Sequence, residues 1–283
     1  MSRSFVGEGA GGLPMVALRA RDGAAADVYL HGAQITSWRP ARGEERLFLS
    51  SRSEFRAGAA IRGGIPVIFP QFAAEGPLPR HGFARTSEWS LDEESQATDG
   101  EALATFSLRD SDATRAIWPA AFHAMLNVRV GADQLVVTLA VENTGRSAFT
   151  FTGALHSYLR VENAADVELV GLHGVKYRLS GTPGALVRDD RGAVRVDGEI
   201  DRVYADVPRT LTLYEPSRSL EIGFDGFRDA VLWNPGAAKA AALADMEPGG
   251  EREMFCVEGA AVQVPVRVAP GERWQGAQRF VAL

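Results

Sequence analysis

Apolar and polar positions alternate along most of this chain. In segment 134–143, QLVVTLAVEN, the residues Leu135, Val137, Leu139 and Val141 fall on one face, the two-residue period of a strand with one buried side. Segment 122–130, FHAMLNVRV, precedes it across Gly131-Ala132-Asp133, so the pair predicts a hairpin. Further short runs rich in β-branched and aromatic residues, bounded by Gly, Pro or Asp, lie at 27–38, 45–49, 65–69, 84–91, 147–162, 203–214, 219–225, 252–258, 262–268 and 273–282. Helical patterning is scarce: 236–246, closed by Pro248, and 111–117, with Asp112 as its cap. The Gly-rich stretch 7–12 reads as a loose or edge segment. Strands this many and this short predict an all-β fold, a large antiparallel β-sandwich with few short helices, rather than a βαβ architecture. No linker, fixed-period repeat or low-complexity tail interrupts the pattern, so residues 1–283 read as one domain.

Composition narrows the function. The net charge of -6 argues against a broad nucleic-acid footprint, though not against a small basic pocket for one phosphate. A lone Cys256 can form no internal disulfide, and no apolar run reaches the roughly 18 residues of a membrane helix. The first residues, MSRSFVGEGAGGLPM, lack the apolar core of a signal peptide, so the expectation is a cytoplasmic protein.

Two apparent motifs lack the context their chemistry needs. Residues 7–12, GEGAGG, fit G-x-G-x-x-G, but no strand precedes them and no helix follows to hold a pyrophosphate. Asp110 and Asp112 read as turn and cap residues before they read as cation ligands. The five histidines form no H-x-H or H-E-x-x-H pair, and one cysteine makes no Cys-rich zinc site.

Three stretches carry more polar chemistry than their surroundings explain. The first, 60–85, holds Arg62 before a Gly pair that would allow close approach of a ligand, then Phe69-Pro70, Gln71, Arg80, His81 and Arg85. If 81–85 is extended, His81, Phe83 and Arg85 share a face; the alternative is a surface loop with solvated arginines. In the second, 148–160, Phe149, Phe151 and Leu155 face the core, and His156 falls on the other side with Thr150, Thr152, Ala154 and Tyr158. That side is either an open concavity or simply a strand on which His156 is hydrogen-bonded. In the third, 251–260, Phe255 and Val257 share one face and Met254, Cys256 and Glu258 the other. Apolar company would raise the Glu258 pKa toward useful general-base strength, unless the residue is a solvated strand end.

Together these stretches resemble the aldose 1-epimerase superfamily, in its glucose-6-phosphate 1-epimerase branch. The matching pieces are RGGIPVIFPQF (62–72), LPRHGFAR (78–85), DSDATRAIWPAAF (110–122), LHSYLRV (155–161), DRVY (201–204), LWNP (232–235) and FCVEGA (255–260), in the family's order. The resemblance implies a galactose-mutarotase-like sandwich with its site on a concave sheet face. It implies Glu258 as general base and His156 as general acid, His81 and Asp201 on the sugar hydroxyls, Arg62 and Arg85 on a phosphate, and Gln71 beside them. The expected partner is a small-molecule sugar phosphate, with neither nucleic acid nor membrane, and the expected protein is a monomer that needs no metal and no cofactor. Three positions depart from the family pattern: Ala73 where Gly is usual, Ser157 where Thr is usual, and an Ala-rich 237–244 where bulkier residues are expected.

Mutarotation breaks the bond between C1 and the ring oxygen, lets C1 rotate, and closes the ring from the other face. That chemistry needs two proton-transfer groups on opposite sides of the hemiacetal, both able to change state near neutral pH, and a Glu and a His suit it. The expected activity is therefore interconversion of the α and β anomers of an aldohexose 6-phosphate, glucose 6-phosphate first. The alternatives are the same reaction on unphosphorylated aldoses, a non-catalytic carbohydrate-binding sandwich, and a glycosidase using Asp201 and Glu258, which would leave His156 without a role.

Overall fold

The computed structural model describes residues 5–96, 100–182 and 184–283. Its strands form three antiparallel sheets of four, eight and nine strands. The hairpin Phe122–Gly131 and Gln134–Asn143 sits inside the nine-stranded sheet, flanked by Ala102–Arg109 and Arg273–Ala282. Leu135, Val137, Leu139 and Val141 are fully buried, as the alternation requires. They share one continuous core with Phe151, Leu155, Leu232, Phe255 and Val257 of the eight-stranded sheet. The four-stranded sheet, residues 5–39, joins that core through Val16, Leu18, Val28 and Trp38. The architecture is a β-sandwich with two short α-helices among the described residues, Asp112–Ile117 and Gly236–Ala241.

The eight-stranded sheet positions the site. Its order is Val187–Arg188, Lys176–Leu179, Ile200–Ala205, Asp229–Asn234, Met254–Val268, Phe149–Leu155 and Val67–Ile68, with Tyr158–Arg160 also pairing Met254–Val268. Register sets partners side by side across it. One row runs Asp201, Trp233, Cys256, Tyr158, and the next runs Val203, Val231, Glu258.

Several elements differ from the sequence expectation. Segment 203–214 is two strands in two sheets: Ile200–Ala205 belongs to the eight-stranded one and Thr210–Tyr214 to the nine-stranded one. The crossing falls at Asp206, with φ 49, and near Pro208, which has no N–H for a ladder. Segments 252–258 and 262–268 are instead one strand, Met254–Val268, because the pairing runs on through Gly259, which faces Leu155 on one side and Ala230 on the other. Segment 84–91 opens with a 3-10 turn, Ala84–Thr86, and becomes a strand only from Ser90. Helix 112–117 is capped by Ser111, not Asp112: its Oγ accepts the Thr114 N–H while the Thr114 hydroxyl accepts that of Ser111. The Gly-rich start is an edge strand, Phe5–Glu8, followed by a 3-10 turn.

Candidate active site

A cavity of about 350 Å³ opens on the eight-stranded sheet. His156 and Glu258 form part of its lining, with Arg62, Arg80, His81, Arg85, Tyr158, Asp201, Trp233 and Lys239 around them. A second cavity of about 710 Å³ adjoins it, sharing Ala73, Arg80, Ser180, Asp201 and Lys239.

His156 lies in the two-residue break between Phe149–Leu155 and Tyr158–Arg160. Its N–H donates to the Pro66 carbonyl at 3.0 Å. The next residue ties the break down: Ser157 Oγ donates to Gln278 Oε1 at 2.8 Å, and the Ser157 carbonyl accepts the Val257 N–H at 3.2 Å. The Tyr158 ring stacks on the imidazole, centroids 4.8 Å apart and 12° from parallel, and Trp233 meets it edge-on at 5.9 Å. His156 Nδ1 lies 3.4 Å from Glu258 Oε1, and neither Nδ1 nor Glu258 Oε2 has a hydrogen-bond partner among the described residues. Glu258 is 1% exposed. Burial, then the nearby charge of Asp201, pushes its pKa well up. Burial, then His81, Arg85 and Arg62, pushes that of His156 well down. The two groups thus touch each other, where the sequence reading set them on opposite sides of the hemiacetal. Contact is compatible with the chemistry, because the two oxygens they would serve hang on one carbon.

His81 reaches the cavity by a route alternation does not show. Its backbone is left-handed, φ 66, and the turn Ala84–Thr86 follows, so 81–85 is not extended. Its Nδ1 accepts the Ala73 N–H at 3.3 Å, which leaves the proton of the neutral ring on Nε2. Burial, followed by the charges of Arg85, Arg80 and Arg62, lowers its pKa to about 3. His81 is therefore a neutral donor, its ring centroid 5.7 Å from that of His156. Asp201 stands on Ile200–Ala205 with burial raising its pKa, and Lys239 Nζ lies 4.0 Å from its Oδ2.

The arginines differ from one another. Arg62 donates from Nε and Nη2 to both oxygens of Asp245, at 3.1 and 3.2 Å, and from Nη1 to the Tyr158 hydroxyl at 2.9 Å. Burial alone would lower its pKa, but Tyr158 and Asp245 reverse this. Arg85 has no carboxylate within ion-pair distance among the described residues; its guanidinium donates to the Arg80 carbonyl at 3.4 Å. Arg80 is exposed at the rim.

Gln71 does not line either cavity. Its amide donates to the carbonyls of Ala73 and Leu78 and accepts the Leu78 N–H, so it braces the loop that carries His81. Gly63 and Gly64 do not face the cavity as an approach for ligand. A Cβ on Gly64 would stand 2.0 Å from the Ile35 carbonyl oxygen, and one on Gly63 would stand 2.4 Å from that of Phe48. Both glycines let backbones meet. Ala73, where the resembled family often has Gly, adopts φ 46. The Ala-rich wall is formed by Lys239 and Leu243, with Ala240 buried beneath.

Tyr158, Trp233, Asp245 and Lys239 were not singled out from sequence as site residues. Tyr158 left a signal in the alternation that places it on the His156 face, and Trp233 lies within the LWNP piece. One buried trio could also hold a metal: the ligand atoms of His156, Cys256 and Glu258 lie within 4.8 Å of one another.

Fold and site define a β-sandwich with a buried His–Glu contact in a polar cavity that three arginines also line. Residues 14–281 match the sequence profile described as aldose 1-epimerase, and the chain belongs to that family. Proteins named "Putative glucose-6-phosphate 1-epimerase" resemble it: one from Cenchrus ciliaris is 35% identical over 94% of this chain and 83% of its own length. One from Escherichia coli K12 is 36% identical over 82% of this chain and 78% of its own length. The crystal structure of a "putative mutarotase" from Salmonella typhimurium superposes with a TM-score of 0.87 at 29% identity, covering 95% of this chain and 90% of that one.

Proposed function

We propose that this protein interconverts the α and β anomers of aldohexose 6-phosphates, glucose 6-phosphate first among them. The observation that carries the reading is the contact between His156 and Glu258 on the floor of a cavity that three arginines also line. In the reacting state Glu258 is a carboxylate and takes the proton of the anomeric hydroxyl, while protonated His156 gives a proton to the ring oxygen and the C1–O5 bond breaks. The aldehyde turns about C1–C2. The ring oxygen then adds back to C1, His156 recovers its proton, Glu258 returns its own, and nothing is consumed. Acid–base help of this kind is worth about 10²–10⁴-fold per group. His81, through Nε2–H, and Asp201 hold ring hydroxyls, and Arg62, Arg80 and Arg85 take the phosphate with paired donors.

Ring opening requires neither a redox cofactor nor a metal. The lone Cys256 and the charged substrate support a cytoplasmic location, and no described helix is long and apolar enough to cross a membrane. We read the enzyme as a monomer working as one domain.

Magnetisation-transfer NMR on glucose 6-phosphate, with a chelator present, tests the reading. Exchange faster than the buffer rate is expected; exchange at the buffer rate would leave only a binding protein. In the same assay Arg85→Ala should cut kcat/KM for glucose 6-phosphate by about 10–100-fold, the worth of a charged hydrogen bond. It should leave the low activity on free glucose nearly unchanged. Equal losses on both sugars would remove phosphate selectivity from Arg85.

A further inference from the structure

We propose that Asp245 is a positioning residue for the His156–Glu258 pair: it holds Arg62, Arg62 holds the Tyr158 hydroxyl, and the Tyr158 ring so fixed sets the plane of the His156 imidazole. This rests on the reading of His156 and Glu258 as the groups that open the sugar ring.

The need for such a device comes from the imidazole itself. A histidine that moves protons is ordinarily oriented by a hydrogen bond at its second nitrogen. His156 Nδ1 is buried without a hydrogen-bond partner among the described residues, and Glu258 Oε1 lies 3.4 Å from it. Packing must therefore orient the ring. Trp233 and His81 meet it at steep angles, 78° and 69°, with centroids 5.9 and 5.7 Å away. Tyr158 instead lies against its face, 12° from parallel at 4.8 Å. A parallel contact fixes the plane of a ring more closely than an edge contact does.

Tyr158 is tied down at both ends. Its backbone N–H donates to the Gly64 carbonyl at 2.9 Å, and its carbonyl accepts the Phe48 N–H at 3.0 Å. Its hydroxyl, at the far end, accepts a hydrogen bond from Arg62 Nη1 at 2.9 Å. Arg62 in turn donates through Nε and Nη2 to the two Asp245 oxygens, at 3.1 and 3.2 Å, a paired contact that fixes the guanidinium plane. Asp245 sits in the connection between Gly236–Ala241 and the 3-10 turn Gly250–Glu253. There its carbonyl accepts the hydroxyl of buried Ser50 at 2.7 Å. Asp245 lines neither cavity, so its carboxylate reaches the reaction only through Arg62. Three of the five Arg62 N–H groups are committed to this chain, which leaves two for a phosphate. One guanidinium can thus anchor the substrate and brace the imidazole.

The test follows anomer exchange of glucose 6-phosphate by NMR in the full chain, for the parent, Asp245→Ala, Tyr158→Phe and the double variant. Circular dichroism checks that each is folded. Tyr158→Phe keeps the ring and removes only the hydroxyl. Misplacing a reacting group by about 1 Å can cost about 10²-fold. Each single variant should therefore lose about tenfold or more in kcat. The value of kcat/KM should fall alongside, because the contacts to the sugar and its phosphate stay in place. Both changes cut the same chain, so the double variant should lose no more than the worse single one. A second readout is the His156 ring-proton resonance, assigned by its absence in His156→Asn. The Tyr158 ring current shifts it upfield in the parent, and in Asp245→Ala it should move downfield. Unchanged kcat in folded Tyr158→Phe would overturn the proposal, and so would losses that multiply in the double variant. A change confined to KM would do the same, since Asp245 would then act on phosphate binding. So would a His156 resonance that stays in place while kcat falls. If Asp245→Ala does not fold, Asp245→Asn, which keeps the shape and one acceptor oxygen, takes its place. A parent inactive on glucose 6-phosphate fails the earlier test, and the resonance then still reports whether Asp245 sets the imidazole plane.

Discussion

A carboxyl that is 1% exposed, with one oxygen lacking any partner, is a costly residue to keep in a sheet. Glu258 shows what that cost supports. Its folded pKa lies well above the ordinary carboxylate value, so the stability it contributes is present at low pH and is lost as pH rises through the folded value. Glu258→Gln removes that loss and, on the proposed mechanism, also removes the base. The variant should lose about 10²-fold or more in kcat while unfolding at higher temperature than the parent above neutral pH. Anomer-exchange NMR and thermal unfolding at two pH values check both halves. A variant that is inactive but no more stable at high pH would mean that the parent's Glu258 is well solvated. Gln71 carries a contrasting lesson: its position beside the arginines suggested a ligand contact, yet its amide is fully occupied within its own loop.

At the scale of elements, the arginine side of the cavity depends on backbone contact. Gly63 and Gly64 have φ 113 and 63, and each lets residue 62–65 backbone press on a neighbouring segment. The pairings Leu49 with Gly63 and Ile35 with Ile65 hold this strip from both sides, and Arg62 stands at its end. Gly64→Ala would place a methyl group 2.0 Å from the Ile35 carbonyl oxygen in a left-handed backbone. The left-handed strain alone costs about 1–2 kcal/mol, and displacing the neighbouring segment adds to it. We expect a loss of at least about 2 kcal/mol, seen as a lower urea midpoint with an unchanged slope. A midpoint within error of the parent would show that the strip can shift freely.

For the whole molecule, a net charge of -6 coexists with a cavity whose rim is cationic, so recruitment of an anion is a local matter. The same cavity makes stability depend on pH. His81 has a folded pKa of about 3 against an ordinary 6.5, so its contribution is complete above pH 6.5 and is lost as pH falls toward 3. His156 shifts in the same direction. Urea midpoints should therefore fall between pH 7 and pH 4, and fall less in His81→Asn, whose side-chain oxygen can still accept the Ala73 N–H. Carboxylates elsewhere titrate alike in both proteins, so the difference between the two curves isolates His81. Parallel curves would mean that the buried imidazole is protonated without penalty.

The strands and their inward faces follow from the sequence, because a two-residue period is a local property that every strand repeats. Leu135 to Val141, the Phe255 and Val257 face, and Glu258 opposite them are all legible in that way. The motif set, in order along the chain, likewise carried the family. What alternation does not encode is where a chain leaves one sheet for another. It therefore merged Ile200–Ala205 with Thr210–Tyr214 and split Met254–Val268. Nor does it encode register, a long-range choice among strands far apart in sequence. Only the tertiary structure set Asp201, Trp233, Cys256 and Tyr158 in one row and brought Glu258 to within 3.4 Å of His156. It alone placed Asp245 on Arg62, 183 residues away, and left-handed backbone beneath His81. The residues of the site were thus written locally, while their contacts, their charge states and the field across the cavity are properties of the folded sheet.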